Sequence, residues 1–415
     1  MDHETEGLWI DGQRVPAKSG AEAPVQNPAT GEVLASVAQA GPEDVDAAVA
    51  AARRSWERGD WRRASTSERA RVLLKLADLI RAAAPELAAL ESRNVGKPVQ
   101  ESRGEIDMGA SCFQYYAGLI PAFGGQTVPV GAPGTGLTFR EPVGVCALIV
   151  PWNFPFAITT WKVAPALALG NSVVVKPASA TPLTALRLAE LAHEAGVPPG
   201  VLNVIPGPGS AAGAALASHP DVRKVAFTGS TEVGVEIQRL AAADVKRVSL
   251  ELGGKSASLV FADADLEKAA GAVFSVFGNA GQDCCARSRI LVERPVYQEF
   301  VDRFVERTRA IRLGDPMDDA TEMGPLISPS HRERVDGFVR RAIEQGATLC
   351  CGGRMKTGDP WDRGSFYEPA VFRGVDPDLE IARDEVFGPV VAILPFDSEE
   401  EAIRLANASI YGLSG

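Results

Sequence analysis

Five short apolar runs alternate with helix-patterned segments between Gly144 and Leu252, and this alternation constrains the fold more than any other feature of the chain. The runs are VCALIV, SVVVK, VLNVI, KVAFTG and RVSLEL. Strands separated by helices imply right-handed crossovers and a parallel sheet covered on both faces, because each helix must bury its apolar stripe against the sheet. The pattern predicts a helix over 183–195 between the second and third runs. Ligands of such sheets sit beyond the carboxyl ends of the strands, so the residues just after each run are the ones that matter for function.

A chain of 415 residues can bury a large core and is expected to hold two or three domains. Ahead of the alternating region, LWIDGQRV turns at Asp11-Gly12 and is expected to be a hairpin. A Pro/Asn/Gly-rich connection at 27–31 and a helix over 43–57 follow. Ser65 and Glu68 form a capping box before a helix that presents Val72, Leu73, Leu76, Leu79 and Ile80 on one face. A further helix is expected over 101–119, with Met108, Cys112, Tyr115 and Tyr116 on its apolar side. Residues 124–143 change to Gly/Pro-rich sequence with short β-prone runs, the pattern of an exposed two-stranded arm that either packs on another subunit or decorates the surface. After Gly254 a second α/β unit begins, with strand ASLVF and one helix over about 266–277. The expected divisions are 1–123 and 144–251 as two parts of one domain, 124–143 as the arm, and 252–415 as a second domain.

Composition excludes several functions. The net charge of -11, with no basic block, argues against nucleic acid. The apolar region 143–170 is broken by Pro151, Asn153, Pro155 and Lys162, and is expected to be buried rather than in a membrane. The acidic start MDHETEGLWIDG lacks the basic and apolar regions of a secretory signal. Six cysteines include the adjacent pairs Cys284–Cys285 and Cys350–Cys351; adjacent cysteines make poor disulfide partners, and reduced thiols fit a cytoplasmic protein. No C-x-x-C or H-E-x-x-H spacing is present, and no metal is expected.

The strand ends carry the chemistry. Asn153 lies in Pro151-Trp152-Asn153-Phe154-Pro155, held stiffly where its amide could donate to an oxyanion; the alternative is a turn Asn that satisfies backbone groups. Lys176, in Lys176-Pro177-Ala178-Ser179, suits ribose hydroxyls or phosphate, or is a solvated lysine. Gly207-Pro208-Gly209-Ser210 leads into a helix after the third run. FTGSTEVG opens the helix after the fourth, with Ser230 and Thr231 as caps at an N-terminus that attracts pyrophosphate. It is not G-x-G-x-x-G. Glu251 ends the fifth run, where burial would raise its carboxyl towards general-base range. GGKS fails as a P-loop because Ser249 stands where the first glycine is required. Serine-hydrolase chemistry is excluded too: no G-x-S-x-G occurs, and His3, His193, His219 and His331 lie away from comparable strand ends. The stretch FGNAGQDCCARSR places a cysteine pair on a turn, a setting that suits a nucleophilic thiolate; the alternative is a pair of buried, inert cysteines.

PWNFP, KPAS, FTGSTEVG, ELGGKS, N-x-G-Q-x-C and DEVFGPV occur in one order over the whole chain, and this set resembles the aldehyde dehydrogenase superfamily. The resemblance implies an α/β dinucleotide-binding domain, an α/β catalytic domain and a small β oligomerisation arm. It makes Cys284, not Cys285, the nucleophile, Asn153 with the Cys284 N–H the oxyanion donors, and Glu251 the base for thioester hydrolysis. Implied cofactor contacts are Val150, Pro151, Trp152, Lys176, Ser179, Gly209, Gly213, Phe227, Thr228, Gly229, Ser230, Val233, Leu252, Glu385 and Phe387. Lys176 would hold the adenosine ribose, Ser230 the pyrophosphate and Glu385 the nicotinamide ribose. NAD is the expected cofactor, and Ser179, where many relatives carry Glu, leaves NADP admissible. Phe154 and Trp161 match positions lining the aldehyde tunnel. Asp283 is similar to the betaine aldehyde and aminoaldehyde branch, where an acid attracts a cationic ω-amine; alternatively it is solvated or caps the turn. A homodimer or homotetramer is implied if the C-terminal part is present, because the chain stops at Gly415 where relatives continue. Two other readings follow: a CoA-acylating enzyme, and a truncated chain that binds dinucleotide or subunits without turnover.

Overall fold

The computed structural model describes residues 5–131 and 133–415. The first four residues, with His3, and Ala132 within the 124–143 segment lie outside the described residues. The chain forms two compact units. One comprises the chain up to Gln26, Val33–Asn94 and Ser102–Glu251; the other comprises Asn27–Glu32, Val95–Glu101 and Leu252–Gly415.

The first unit is built on a seven-stranded sheet in the order β12-β11-β8-β9-β10-β2-β3. Its strands are β2 (Leu8–Ile10), β3 (Gln13–Val15), β8 (Val145–Ile149), β9 (Ser172–Lys176), β10 (Leu202–Val204), β11 (Val222–Thr228) and β12 (Arg247–Glu251). The five strands of the alternating region pair in parallel, so their carboxyl ends share one edge. β8 and β9 are buried throughout, as strands covered by helices on both faces must be. The helix between β9 and β10 runs Leu183–Ala195, with the predicted bounds. Trp9 pairs with Arg14 in the opening hairpin, where Asp11 and Gly12 take φ of 55° and 80°. The capping box also forms: Ser65 N–H donates to Glu68 at 2.7 Å, and Glu68 N–H donates to Ser65 Oγ at 3.2 Å.

A small sheet joins β1 (Thr5–Glu6), β4 (Glu22–Gln26) and β5 (Val33–Ala38). The arm is two-stranded, with β6 (Thr127–Val128) antiparallel to β7 (Gly136–Leu137).

Three expectations need correction. The helix Val99–Leu119 buries Ile106, Ala110, Phe113 and Ala117, whereas Met108 and Tyr115 are 46% and 63% exposed. The buried stripe centres on Phe113, and Cys112 and Tyr116 pack only partly against the core. β12 is an end strand, so Arg247, Ser249 and Glu251 are exposed, and Glu251 does not sit at the mouth of a buried strand. The helix expected over about 266–277 is two short ones, Leu266–Gly271 and Phe274–Phe277. Gly271 closes the first, consistent with a residue that costs a helix about 1 kcal/mol relative to Ala.

The second unit has the sheet order β13-β14-β17-β16-β15. The strands are β13 (Ala257–Val260), β14 (Arg289–Glu293), β15 (Thr348–Cys351), β16 (Ala370–Arg373) and β17 (Val390–Phe396). All pair in parallel except β15, which is antiparallel to β16. Phe277, Phe300, Phe304, Tyr367, Phe372 and Phe396 form its buried aromatic core. Among the described residues no helix is long and apolar enough to cross a membrane.

Candidate active site

In the first unit, the strand-end residues gather along the carboxyl edge of the sheet. Val150 is buried and donates its N–H to Lys176 O at 3.1 Å, which ties the turn after β8 to the end of β9. Pro151, Trp152 and Phe154 are half-buried and Asn153 is buried. Phe154 caps the helix Pro155–Ala168, on which Trp161 is exposed. Sequence reasoning missed Glu91, which is fully buried and fixes this turn. It accepts Phe156 N–H at 3.0 Å and the Thr184 hydroxyl at 2.6 Å. An acid inside the apolar run LAALES was the available signal.

Lys176 donates to Pro177 O at 2.9 Å and Gly207 O at 3.1 Å. Burial lowers its ammonium to about 8. Ser179 is half-buried. Gly209 opens a wide turn that ends at Gly213, and no atom lies within 4 Å of the position a Cβ would take at Gly209. At Gly213 a Cβ would sit 3.6 Å from the Lys176 stem. Phe227 and Thr228 are buried, and a Cβ on Gly229 would meet the Phe227 ring at 2.5 Å, so the ring would have to shift to admit one. Gly229 N–H donates to Glu251 O at 3.1 Å, and Ser230 Oγ caps the next helix by accepting Val233 N–H at 3.4 Å. Lys162 lies near Glu251; burial lowers its ammonium to about 8, and the Glu251 charge opposes that shift.

In the second unit, Cys284 follows an uncommon backbone. Asn279, Ala280 and Gly281 take φ of 47°, 55° and 69°, three successive left-handed residues. A Cβ at Gly281 would approach Gly388 O to 2.2 Å, and one at Gly254 would approach Cys284 O to 2.2 Å. Both glycines of the motifs are therefore sterically required. Gln282 is fully buried and locks the turn: its Nε2 donates to Asn279 O at 3.0 Å, and its Oε1 accepts Ile327 N–H at 2.8 Å. Asp283 Oδ1 accepts Cys285 N–H at 2.9 Å, while the Cys284 N–H has no acceptor among the described residues. That N–H is thus available to an oxyanion. Leu252 is half-buried at the start of the unit, and Glu385 accepts Gly254 N–H at 3.0 Å. Phe387 has φ of 58°, and its carbonyl lies 2.7 Å from His331 Nε2.

Residues 15–415 match the aldehyde dehydrogenase family. The chain is 45% identical over 410 residues to betaine aldehyde dehydrogenase of Bacillus subtilis, covering 98% of this chain and 84% of that protein. It is 47% identical to mitochondrial aldehyde dehydrogenase of Homo sapiens, with coverage of 98% and 79%. A crystal structure of Staphylococcus aureus betaine aldehyde dehydrogenase in complex with NAD+ superposes with a TM-score of 0.96 at 40% identity, covering 98% of this chain and 81% of that one.

The chain belongs to the aldehyde dehydrogenase family. It is an oxidoreductase that acts on the aldehyde group.

For an aldehyde dehydrogenase, the electrostatics of the cysteine turn are informative. Burial is the largest cause raising the Cys284 thiol well above its ordinary value, followed by Cys285, Asp283 and Glu385. The resting sulfur is therefore a thiol, and its attack needs a base or an incoming positive charge. Burial also raises Glu385, against the Gly254 N–H and Lys255. Glu101 is a second residue that sequence reasoning missed. It lies in the first turn of Val99–Leu119 but belongs to the second unit, and its carboxyl accepts the Asn279 N–H. Burial raises its pKa, Lys97 opposes the shift, and Asp283 adds to it. No local pattern could reveal a carboxylate nearly two hundred residues from the turn that it braces.

Proposed function

We propose that Cys284 is the nucleophile with which this aldehyde dehydrogenase oxidises an aldehyde to a carboxylic acid, using NAD. The observation that carries this reading is the left-handed turn at Asn279–Gly281, which holds Cys284 with its own N–H open. The Cys284 thiol gives its proton to solvent as Sγ bonds to the carbonyl carbon, and the carbonyl oxygen becomes an oxyanion, stabilised by the Cys284 N–H and the Asn153 amide. When bound, the dinucleotide supplies the hydride acceptor. Glu251 then takes a proton from water, whose oxygen attacks the resulting Cys284 thioester; the C–S bond breaks and the acid leaves. An exposed Glu251 suits this role, since it must meet solvent water.

The strand-end residues fit a dinucleotide. Lys176 has two ammonium protons committed to carbonyls and a third left for a ribose hydroxyl. Gly209 and Gly213 keep the backbone beside it clear of side chains, and the Ser230 cap presents a helix N-terminus for pyrophosphate. Val150, Pro151, Trp152, Phe227, Thr228, Gly229, Val233, Leu252 and Phe387 would add contacts, and Glu385 would hold the nicotinamide ribose. Ser179 carries no charge to repel a 2′-phosphate, so NADP is also admitted. We assign dinucleotide binding to 1–123 and 144–251, apart from 27–32 and 95–101, which fold with the second unit, assembly to the arm at 124–143, and catalysis to 252–415.

Phe154 and Trp161 would line the aldehyde path. Asp283 contributes negative charge beside the thiol, and its field reaches Glu101 and Glu385 as well. This favours an aldehyde with a cationic ω-amine over one bearing a carboxylate. Val128, Val130, Leu137 and Phe139 on the arm are exposed apolar residues, which supports a homodimer or homotetramer. Six free cysteines support a cytoplasmic setting. The test follows reduced-nicotinamide absorbance with NAD and NADP against aliphatic, aromatic, ω-amino and carboxylate-bearing aldehydes. Turnover highest with ω-amino aldehydes and lost in Cys284→Ala is expected; near-normal turnover in the variant would refute the assignment.

A further inference from the structure

The Asp283–Cys284–Cys285 tripeptide brings three metal-ligating atoms close together. The carboxylate oxygen and both sulfurs lie within 4.8 Å of one another. We propose that these residues form a site for a thiophilic divalent cation, with zinc as its fitting occupant, and that occupancy withdraws Cys284 from catalysis.

The bite distance fits zinc. Two thiolates on tetrahedral zinc, each about 2.3 Å from the metal, stand about 3.8 Å apart. The two sulfurs stand 4.0 Å apart. A disulfide would require them to close to about 2.05 Å across adjacent residues, a far larger adjustment. Asp283 is already oriented, because its Oδ1 accepts Cys285 N–H at 2.9 Å. That hydrogen bond plays the orienting part that outer partners play around metal-bound carboxylates. Two sulfurs and one carboxylate select zinc over magnesium or calcium, which prefer all-oxygen sets. Cys285 is exposed, so solvent can reach the metal and supply a water as fourth ligand. On binding, two Zn–S bonds form and two thiol protons pass to solvent, with no change of oxidation state. The bond to Cys284 uses the electron pair that would attack a carbonyl.

Metal binding itself is independent of the enzymatic reading; only the inhibition rests on Cys284 as the nucleophile. The test titrates the reduced full chain with zinc chloride against a chromophoric chelator, in the native chain and in Cys285→Ser, Asp283→Asn and Cys351→Ser. One zinc per chain and two released protons are expected. Affinity should fall by roughly 100-fold in Cys285→Ser and roughly 10-fold in Asp283→Asn, and stay unchanged in Cys351→Ser. Turnover of the native chain should fall with occupancy and return with EDTA, and the zinc concentration for half-inhibition should rise roughly 100-fold in Cys285→Ser, whatever that variant's own rate. Equal zinc affinity in the native chain and Cys285→Ser would overturn the site. Cobalt on the native chain gives a second readout: sulfur-to-metal charge-transfer bands are expected, and their absence would also overturn it. Stoichiometric binding with full turnover would keep the site and contradict Cys284 as the nucleophile.

Discussion

Cys284–Cys285 and Cys350–Cys351 are one dipeptide in two settings, both in the second unit. The later pair ends β15, where Leu349 faces Phe372, Cys351 faces Val371, and Cys350 sits in the irregularity between them. Its backbone is committed to the sheet, and Arg309 donates to Cys350 O at 3.1 Å. The earlier pair lies on no strand or helix; it follows three left-handed residues and leaves the Cys284 N–H open. Burial raises both kinds of thiol, with Cys351 pushed up to about 11 and Cys284 further, so thiolate content does not distinguish them. What separates them is backbone geometry. A nucleophile needs a donor aimed at the oxyanion, and the turn leaves one at Cys284.

The largest contrast is in turnover. Cys284→Ala should lower it by roughly four orders of magnitude or more, while Cys351→Ala stays within about twofold. Comparable losses in the two variants, measured by reduced-nicotinamide formation, would erase the distinction.

The bracing of the earlier turn supplies the next contrast. Glu101→Ala leaves the Asn279 N–H without its carboxylate, and losing such a buried partner costs about 1–3 kcal/mol. Urea unfolding should register this loss together with faster proteolysis near 279–285; an unchanged midpoint would remove Glu101 from the account.

Lys255, beside the required Gly254, gives a pH signature. It is buried and its ammonium is lowered to about 7, by burial first and Arg289 second, against Glu385 and Asp384. An unfolded lysine titrates near 10.4, so between about pH 7 and 10 the unfolded chain binds more protons and stability rises with pH. Below pH 7 the penalty is fully present. Lys255→Met should flatten the rise in unfolding free energy by about 1 kcal/mol per pH unit in that window. An identical slope in both proteins would contradict the burial assigned to Lys255.

The smallest effect concerns Asp283. After burial and Cys285, its charge is the next cause raising the Cys284 thiol. Asp283→Asn should therefore speed iodoacetamide alkylation of Cys284 at pH 8 several-fold and leave Cys351 unaffected, as read by peptide mass spectrometry. Slower alkylation at Cys284 would reverse the sign of the argument.

Much of this architecture was legible in the chain because it rests on local signals. The helix Leu183–Ala195, the five parallel strands and the Ser65–Glu68 box follow from periodicity and capping chemistry. Local pattern failed where tertiary placement decides. The sequence of β12 resembles its neighbours, yet its place at the end of the sheet exposes Glu251. Met108 and Tyr115 fit an apolar stripe, but the core takes Ile106, Ala110 and Phe113 instead. In the site, the close backbone approaches at Gly254 and Gly281 emerge only in the structure, and Glu91 on Phe156 and Glu101 on Asn279 are long-range pairs with no sequence periodicity.

The central claim is that Cys284, and no other cysteine, carries the acyl group. Glu251→Gln should trap the thioester, because the carboxamide cannot take a proton from water. The trapped chain, mixed with NAD and aldehyde, would be digested and its cysteine peptides weighed. The account predicts an acyl increment on Cys284 alone, approaching one per chain. An increment on Cys285, Cys350 or Cys351, with Cys284 unmodified, would contradict it.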